Sequence, residues 1–216
     1  MEFVEVVRRR KMVRAYDAGA PVPAEAVEAV LQTALRAPSA GFSQGVSWLV
    51  LESPDDRELF WSLTAGPARS NAWLRGMRTA PVLLLVWTSR AQYQRRYAEP
   101  DKGWKDGDLG RWSAPYWHVD AGMASMAALF AAVDRGLAAC FFGVPPERTP
   151  AVREAFGVPA EQLSVGVISL GYPAADAGLA GSSIRRRRDA ATLIHRGRWQ
   201  PLLPPEQPNG GLDQLV

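Results

Sequence analysis

The sequence predicts an α+β or mixed α/β fold, a single domain with helices on both sides of a sheet. Apolar runs of strand length recur along the chain: "WLVLE", "PVLLLVW", "LAACFFGV" and "LSVGVISLGYP". Between them lie segments whose apolar residues repeat at helical spacing. The chain has 216 residues, 47% of them hydrophobic, which is the length of one domain and enough apolar material for its core.

Phe3, Val6 and Val7 predict a short helix over residues 2–10. The clearest helix is "PVPAEAVEAVLQTALRAP": Val27, Val30, Leu31, Ala34 and Leu35 form one stripe, Pro23 stands near its start and Pro38 ends it. "WLVLE" at 48–52 predicts a strand. Ser53 and Pro54 then have the chemistry of an N-cap and a first helical position, opening a helix that carries Leu59, Phe60 and Leu63. "PVLLLVW" at 81–87 predicts a strand buried on both faces. Residues 89–116 break the pattern. They are polar, rich in glycine and charge, and carry Tyr93, Tyr97, Trp104, Trp112 and Tyr116. An irregular stretch of that length in a compact domain is a candidate lid or specificity insertion. A long Ala/Gly/Met helix over 117–135 follows, suited to close helix packing, then a strand in "LAACFFGV", a helix in "PERTPAVREAFGVP" ended by Gly157, and a last strand in "LSVGVISLGYP". The tail over 200–216 is rich in Pro and Gly and predicts an extended segment.

Composition narrows the chemistry. The net charge is only +3, which points weakly to anionic ligands and does not by itself imply nucleic acid. One cysteine, Cys140, excludes an internal disulfide, and with only His118 and His195 there is no metal-ligand cluster. A buried structural thiol is the expectation for Cys140, because nothing beside it supplies a base. "MEFVEVVRRR" lacks the apolar core of a signal peptide and "PVLLLVW" is too short to span a bilayer, so a cytoplasmic protein without membrane partners is expected. Neither GxGxxG nor GxxxxGK[ST] occurs. With no acid–base pair, nucleophile motif or metal set, an enzyme of this sequence needs a cofactor to carry its chemistry.

Three stretches could bind one. The first is the opening basic cluster Arg8, Arg9, Arg10, Lys11 and Arg14, either a solvated helix face or a phosphate site. The second is "RRRR" at 185–188, either a solvated run, a nucleic-acid tail or a ligand contact. In extended chain only alternate side chains share a face, so Arg185 with Arg187, or Arg186 with Arg188, could meet one small ligand. The third is "RAPSAGFSQGVSW" at 36–48, whose Ser39, Gly41, Gln44 and Gly45 either satisfy ordinary turns or let main chain approach a flat ligand.

Taken together and in order, "RRRKMVRAYD", "APSAGFSQ", "GLAACFFGVP", "VISLGYP" and "SIRRRRDAATLIHRGRW" resemble the motifs of the nitroreductase family of flavin enzymes over nearly the whole length. The resemblance implies an α+β nitroreductase fold: a mixed sheet flanked by helices, in an interlocked homodimer whose core is the 117–135 helix. It implies FMN as cofactor, NAD(P)H as hydride donor and a small flat aromatic acceptor such as a nitroaromatic or quinone, with no nucleic acid. It places Arg10, Lys11, Met12 and Arg14 with Arg185 and Arg187 at the flavin phosphate, Met12 through its backbone. Pro38, Ser39, Ala40, Phe42 and Gln44 fall at the flavin ring from the neighbouring subunit, and Phe142 and Gly143 fall on the strand and loop beside it. Phe42 replaces the family's Asn, and Gly45 its Pro. Phe42, Trp104 and Trp112 are the expected acceptor contacts. A deazaflavin-using or flavin-fragmenting enzyme of the same fold, and a non-catalytic flavin binder, are the alternatives.

Overall fold

The computed structural model describes residues 1–65, 71–175 and 187–199. The chain divides into two units, Met1–Gly178 and Leu179–Val216. In the first, the helices are α1 (Phe3–Arg9), α2 (Ala24–Ala34), α3 (Pro54–Ala65), α4 (Ala72–Arg78), α5 (Arg90–Tyr97), α6 (Tyr116–Asp134) and α7 (Thr149–Ala155). The strands are β1 (Val46–Leu51), β2 (Val82–Thr88), β3 (Ala138–Phe142) and β4 (Leu163–Gly171).

The strands form one sheet in the order β1-β2-β4-β3. Every neighbouring pair is antiparallel, and the fold is α+β. The sheet gains a parallel bridge outside the named strands, Met12 to Ala139 on the edge of β3. Burial on both faces explains why β2 is apolar throughout: every one of its residues is buried. Val82 and Leu84 face α2 and α6, packing with Val27, Val30, Ala128 and Ala132. Leu83, Leu85 and Trp87 face the other way, into a core with Phe60, Trp61, Leu74, Met77 and Val152 of α3, α4 and α7. The small residues of α6 do what their size allows: Ala121, Ala124, Ala128 and Ala132 are buried, bringing the helix close to the sheet.

Two helices were not legible as such. Helix α4 is short and charged, but Asn71 caps it by accepting the Leu74 N–H at 2.8 Å. Helix α5 lies inside the stretch that breaks the sequence pattern, so 89–116 is not irregular throughout. Ser89 caps it, and among its residues only Tyr93 is buried, which leaves too little apolar spacing to read. The predicted helix at 146–159 is shorter than its pattern, a 3-10 turn at Pro146–Arg148 leading into α7 with Pro150 in its first turn. In the second unit, Asp189 accepts the Ala191 N–H at 3.0 Å to start a single 3-10 turn, and His195 stacks on Trp199 at 4.2 Å. The predicted tail over 200–216 lies outside the described residues.

Candidate functional site

The opening basic cluster divides by partner. Arg8 donates to both Glu5 carboxylate oxygens at 2.7 Å, and Arg9 also donates to Glu5. These bonds hold the Glu5 carboxyl down at about 2 and commit both guanidinium groups to the helix surface. Arg10, Lys11 and Arg14 are not engaged by it. After α1 the chain turns along the outer edge of β3. There the Val13 N–H donates to the Ala139 carbonyl at 3.0 Å, and the Phe141 N–H points at the Met12 sulfur at 3.5 Å. Arg14 is half-buried and donates back to the Met12 carbonyl at 3.2 Å.

Tyr16 anchors this segment from below. Its hydroxyl meets the Val13 carbonyl at 2.8 Å and the Ser169 hydroxyl at 2.7 Å, and its N–H donates to Thr79 Oγ1 at 2.8 Å. Helix α4 closes on the segment through Gly76, where a Cβ would stand 2.1 Å from the Arg14 carbonyl oxygen. Burial pushes the Tyr16 phenol and the Cys140 thiol above their ordinary values, with the Arg14 charge opposing both shifts. Cys140 is therefore a protonated, buried thiol at neutral pH, and Arg14 is a cation held at the strand edge.

Phe142 and Gly143 leave the end of that same strand. Phe142 stacks on Trp61 at 5.6 Å and 10°, with Trp73 and Phe60 edge-on to it. A cavity of about 220 Å³ opens there, lined by Phe142, Gly143, Trp61 and Trp73 among others. The structure thus brings Met12 and Arg14, beside β3, and Phe142 and Gly143, at the end of β3, onto one edge of the sheet.

The loop at 38–45 lies elsewhere. It enters β1, which is the opposite edge of the sheet, three strand spacings or roughly 14 Å from β3. It lines a cleft of about 370 Å³ on the α2–α6 face, with Leu35, Pro38, Ser39, Phe42, Gln44 and Trp48 in its wall. Gly41, Phe42 and Gln44 all have positive φ, at 61°, 56° and 51°. The side chain of Phe42 is 74% exposed. Sequence reasoning missed what holds this loop. The Ala40 N–H and the Tyr93 hydroxyl both donate to Asp120 Oδ2, at 2.8 and 2.7 Å. The visible signal was an acid, Asp120, set among the small apolar residues of α6 rather than at its end as Asp134 is. Burial, and then the Asp120 bond, push the Tyr93 phenol well above its ordinary value.

The aromatic stretch packs on the same loop. Trp112 meets Tyr97 at 4.4 Å, Trp104 at 5.3 Å and Trp117 at 6.0 Å, and Trp104 meets Tyr97 at 4.8 Å. Trp104 and Trp112 are both half-buried. Arg96 pins the following turn by two bonds to Asp101 at 2.7 and 2.8 Å. Phe42, Trp104 and Trp112 therefore belong to one neighbourhood, joined through Tyr97 and Gly41. Arg187 is exposed, in the second unit, and Arg185 lies outside the described residues.

Comparison with solved structures defines the class first, as a nitroreductase fold. The nitroreductase of Lactococcus lactis in complex with nicotinic acid superposes with a TM-score of 0.73 at 18% identity, over 91% of this chain and 100% of that one. A provisionally named nitroreductase of Desulfovibrio desulfuricans in complex with FMN gives 0.67 at 22% identity, over 93% and 99%. The Nitroreductase family matches residues 7–172, and the chain belongs to that family, as an oxidoreductase. A curated relative from Archaeoglobus fulgidus, provisionally named NADH dehydrogenase/NAD(P)H nitroreductase, is 27% identical over 92% of this chain and 99% of its own.

Proposed function

We propose that the protein is an FMN-dependent oxidoreductase that takes hydride from NAD(P)H and passes it to a flat organic acceptor of the nitroaromatic or quinone class. One observation carries the reading in a chain of this family. A pinned cationic segment, Met12 to Arg14, lies on one sheet edge, and a small-residue loop with an outward Phe42 lies on the other. The two halves sit on opposite edges, which supports a site completed by a second copy, with loop 38–44 of one chain meeting Arg10–Arg14 and Phe142–Gly143 of its partner.

The residues fit FMN. Arg10, Lys11 and Arg14 would hold the phosphate by charge-assisted bonds, with Met12 adding a backbone contact, and the family resemblance assigns the same role to Arg185 and Arg187. Pro38, Ser39, Ala40, Phe42 and Gln44 would meet the ring through backbone and small side chains. When bound, FMN supplies hydride acceptance and donation. The chain's own residues orient the flat partners and exclude water between them. Cys140 and Tyr93 stay protonated, so neither is a base at neutral pH.

The exposed face of α6 supports the dimer. Val119, Met123 and Met126 are 43%, 38% and 41% exposed, and with Phe130 they form one stripe, which Phe3 of α1 extends at 5.6 Å from Phe130. The relative from Archaeoglobus fulgidus supports the nicotinamide donor through its name. No helix of the described residues is long and apolar enough to cross a membrane, and we place the enzyme in the cytoplasm. The purified protein is expected to be yellow, to release a compound of FMN's mass, and to oxidise NADH or NADPH when a quinone is added. A deazaflavin mass, FMN without turnover, or a colourless protein that does not take up micromolar FMN would each replace this reading.

A further inference from the structure

The geometry points to Tyr93 and Asp120 as a positioning pair for loop 38–45, through which the aromatic stretch governs how the acceptor is met; this rests on the functional reading above. Helix α5 is a template for the loop. Its Tyr93 and Tyr97, one helical turn apart, cover Gly45 and Gly41. A Cβ at Gly45 would stand 2.5 Å from the Tyr93 ring, and one at Gly41 would stand 2.6 Å from the Tyr97 ring. No other residue type lets the loop lie so close to these rings.

Between those two contacts the loop takes a conformation it would not keep alone. Phe42 and Gln44 are non-glycine residues with positive φ, and such residues persist only where their surroundings over-determine them. Two bonds close the loop on itself and a third ties it to Asp120. The side chain of Ser43 closes the turn onto the Ala40 carbonyl at 2.6 Å, and Ser39 Oγ accepts the Gln44 N–H at 3.1 Å. The Ala40 N–H is then fixed by Asp120, which is 2% exposed. Asp120 is itself held on the same oxygen by Tyr93, a residue with no exposed surface. A carboxylate oxygen accepting two donors orients both more strongly than neutral acceptors would.

Asp120 and Tyr93 therefore do not need to touch the acceptor to affect it. They set the direction in which Phe42 and Gln44 leave the loop. Tyr93 also carries Trp112 on its edge at 6.2 Å, so a shift in the aromatic cluster reaches the loop through one phenol.

The test compares Asp120→Ala, Asp120→Asn and Tyr93→Phe as full-length protein. Amide hydrogen exchange over 38–45 is read without any cofactor. Acceptor KM and kcat are read on FMN-loaded enzyme with p-benzoquinone. Loss of a hydrogen bond to a charged group predicts about ten-fold faster exchange of the loop in Asp120→Ala, with a smaller rise in Tyr93→Phe. The acceptor KM should rise in parallel, read at FMN concentrations that keep the flavin bound, since the same loop is proposed to meet the flavin ring. Asp120→Asn should restore most of both, because its amide oxygen can accept both donors. Unchanged exchange in Asp120→Ala and Tyr93→Phe overturns the assignment, as does an Asp120→Asn variant as impaired as Asp120→Ala. Tyr93→Phe removes a single hydroxyl, so it keeps the test decisive if Asp120→Ala does not fold. If the loop loosens as expected but wild-type protein neither binds FMN nor turns over, the functional reading fails and the positioning pair stands.

Discussion

Gly76→Ala sets two magnitudes against each other. In an ordinary helix interior alanine is better than glycine by about 1 kcal/mol, so propensity alone predicts stabilisation of α4. The new Cβ would stand 2.1 Å from the Arg14 carbonyl oxygen and 3.2 Å from its carbonyl carbon. That is about 1 Å inside van der Waals contact, and both sides are main chain, so no side chain can swing away. Overpacking of this kind costs about 1–3 kcal/mol. With both contacted atoms main chain the cost belongs at the upper end of that range, so the steric term wins, and the net loss should be up to roughly 2 kcal/mol, or a fall of up to about 8 °C in Tm for a domain of this size. Relief requires Met12–Tyr16 to move off α4, which strains the Tyr16 N–H bond to Thr79 and shifts Arg14 from the edge of β3. FMN affinity should therefore drop by about ten-fold alongside stability. Thermal denaturation of the apo form and FMN titration read the two effects separately. A rise in Tm with unchanged FMN affinity would refute both the close packing and the placement of the cationic segment.

Arg14→Ala and Arg187→Ala should each weaken FMN by about ten-fold in a fluorescence titration, while Arg8→Ala, whose group is committed to Glu5, should change it little. Met126→Glu, in the exposed stripe of α6, should give monomers by light scattering and lose FMN with them; a stable dimer with full FMN would remove α6 from the interface. Trp112→Ala should lower Tm more than Trp104→Ala, since Trp112 has five aromatic partners and Trp104 two, each pair contributing roughly 0.5–1.5 kcal/mol. Both should change acceptor kinetics, and equal thermal losses would contradict the cluster. Stability should also fall as pH rises above about 9, because Cys140, Tyr16 and Tyr93 keep in the folded state protons that the unfolded chain gives up. Thermal melts from neutral to alkaline pH check the sign.

What could be read ahead of the structure followed burial. Strand β2 and helix α2 were legible because one is apolar at every position and the other keeps a single stripe, patterns that survive any tertiary arrangement. Helix α5 was not, because its stability comes from Tyr93 and Tyr97 against two loop glycines rather than from its own spacing. The loop "APSAGFSQ" was legible as a close-approach segment through its composition. Its support was not, since Asp120 is 80 residues away in sequence from Ala40 and meets it only after α6 has packed on the sheet. The separation of the loop from Arg14 was likewise invisible, because strand order, not sequence order, puts β1 and β3 on opposite edges.

That separation allows a direct test of the central claim, that FMN is held between two chains. Arg14→Ala disables the cationic half. Gly41→Val disables the loop half, because position 41 has positive φ and a Cβ there would meet Tyr97 at 2.6 Å. Each variant alone should bind FMN poorly. When the two are unfolded together, refolded and isolated as the mixed dimer by differential tagging, one site contains both lesions and the other contains neither. FMN binding should then return at one site per mixed dimer with wild-type affinity. Binding in the mixed dimer no better than in either parent would contradict the shared site and return both halves to a single chain.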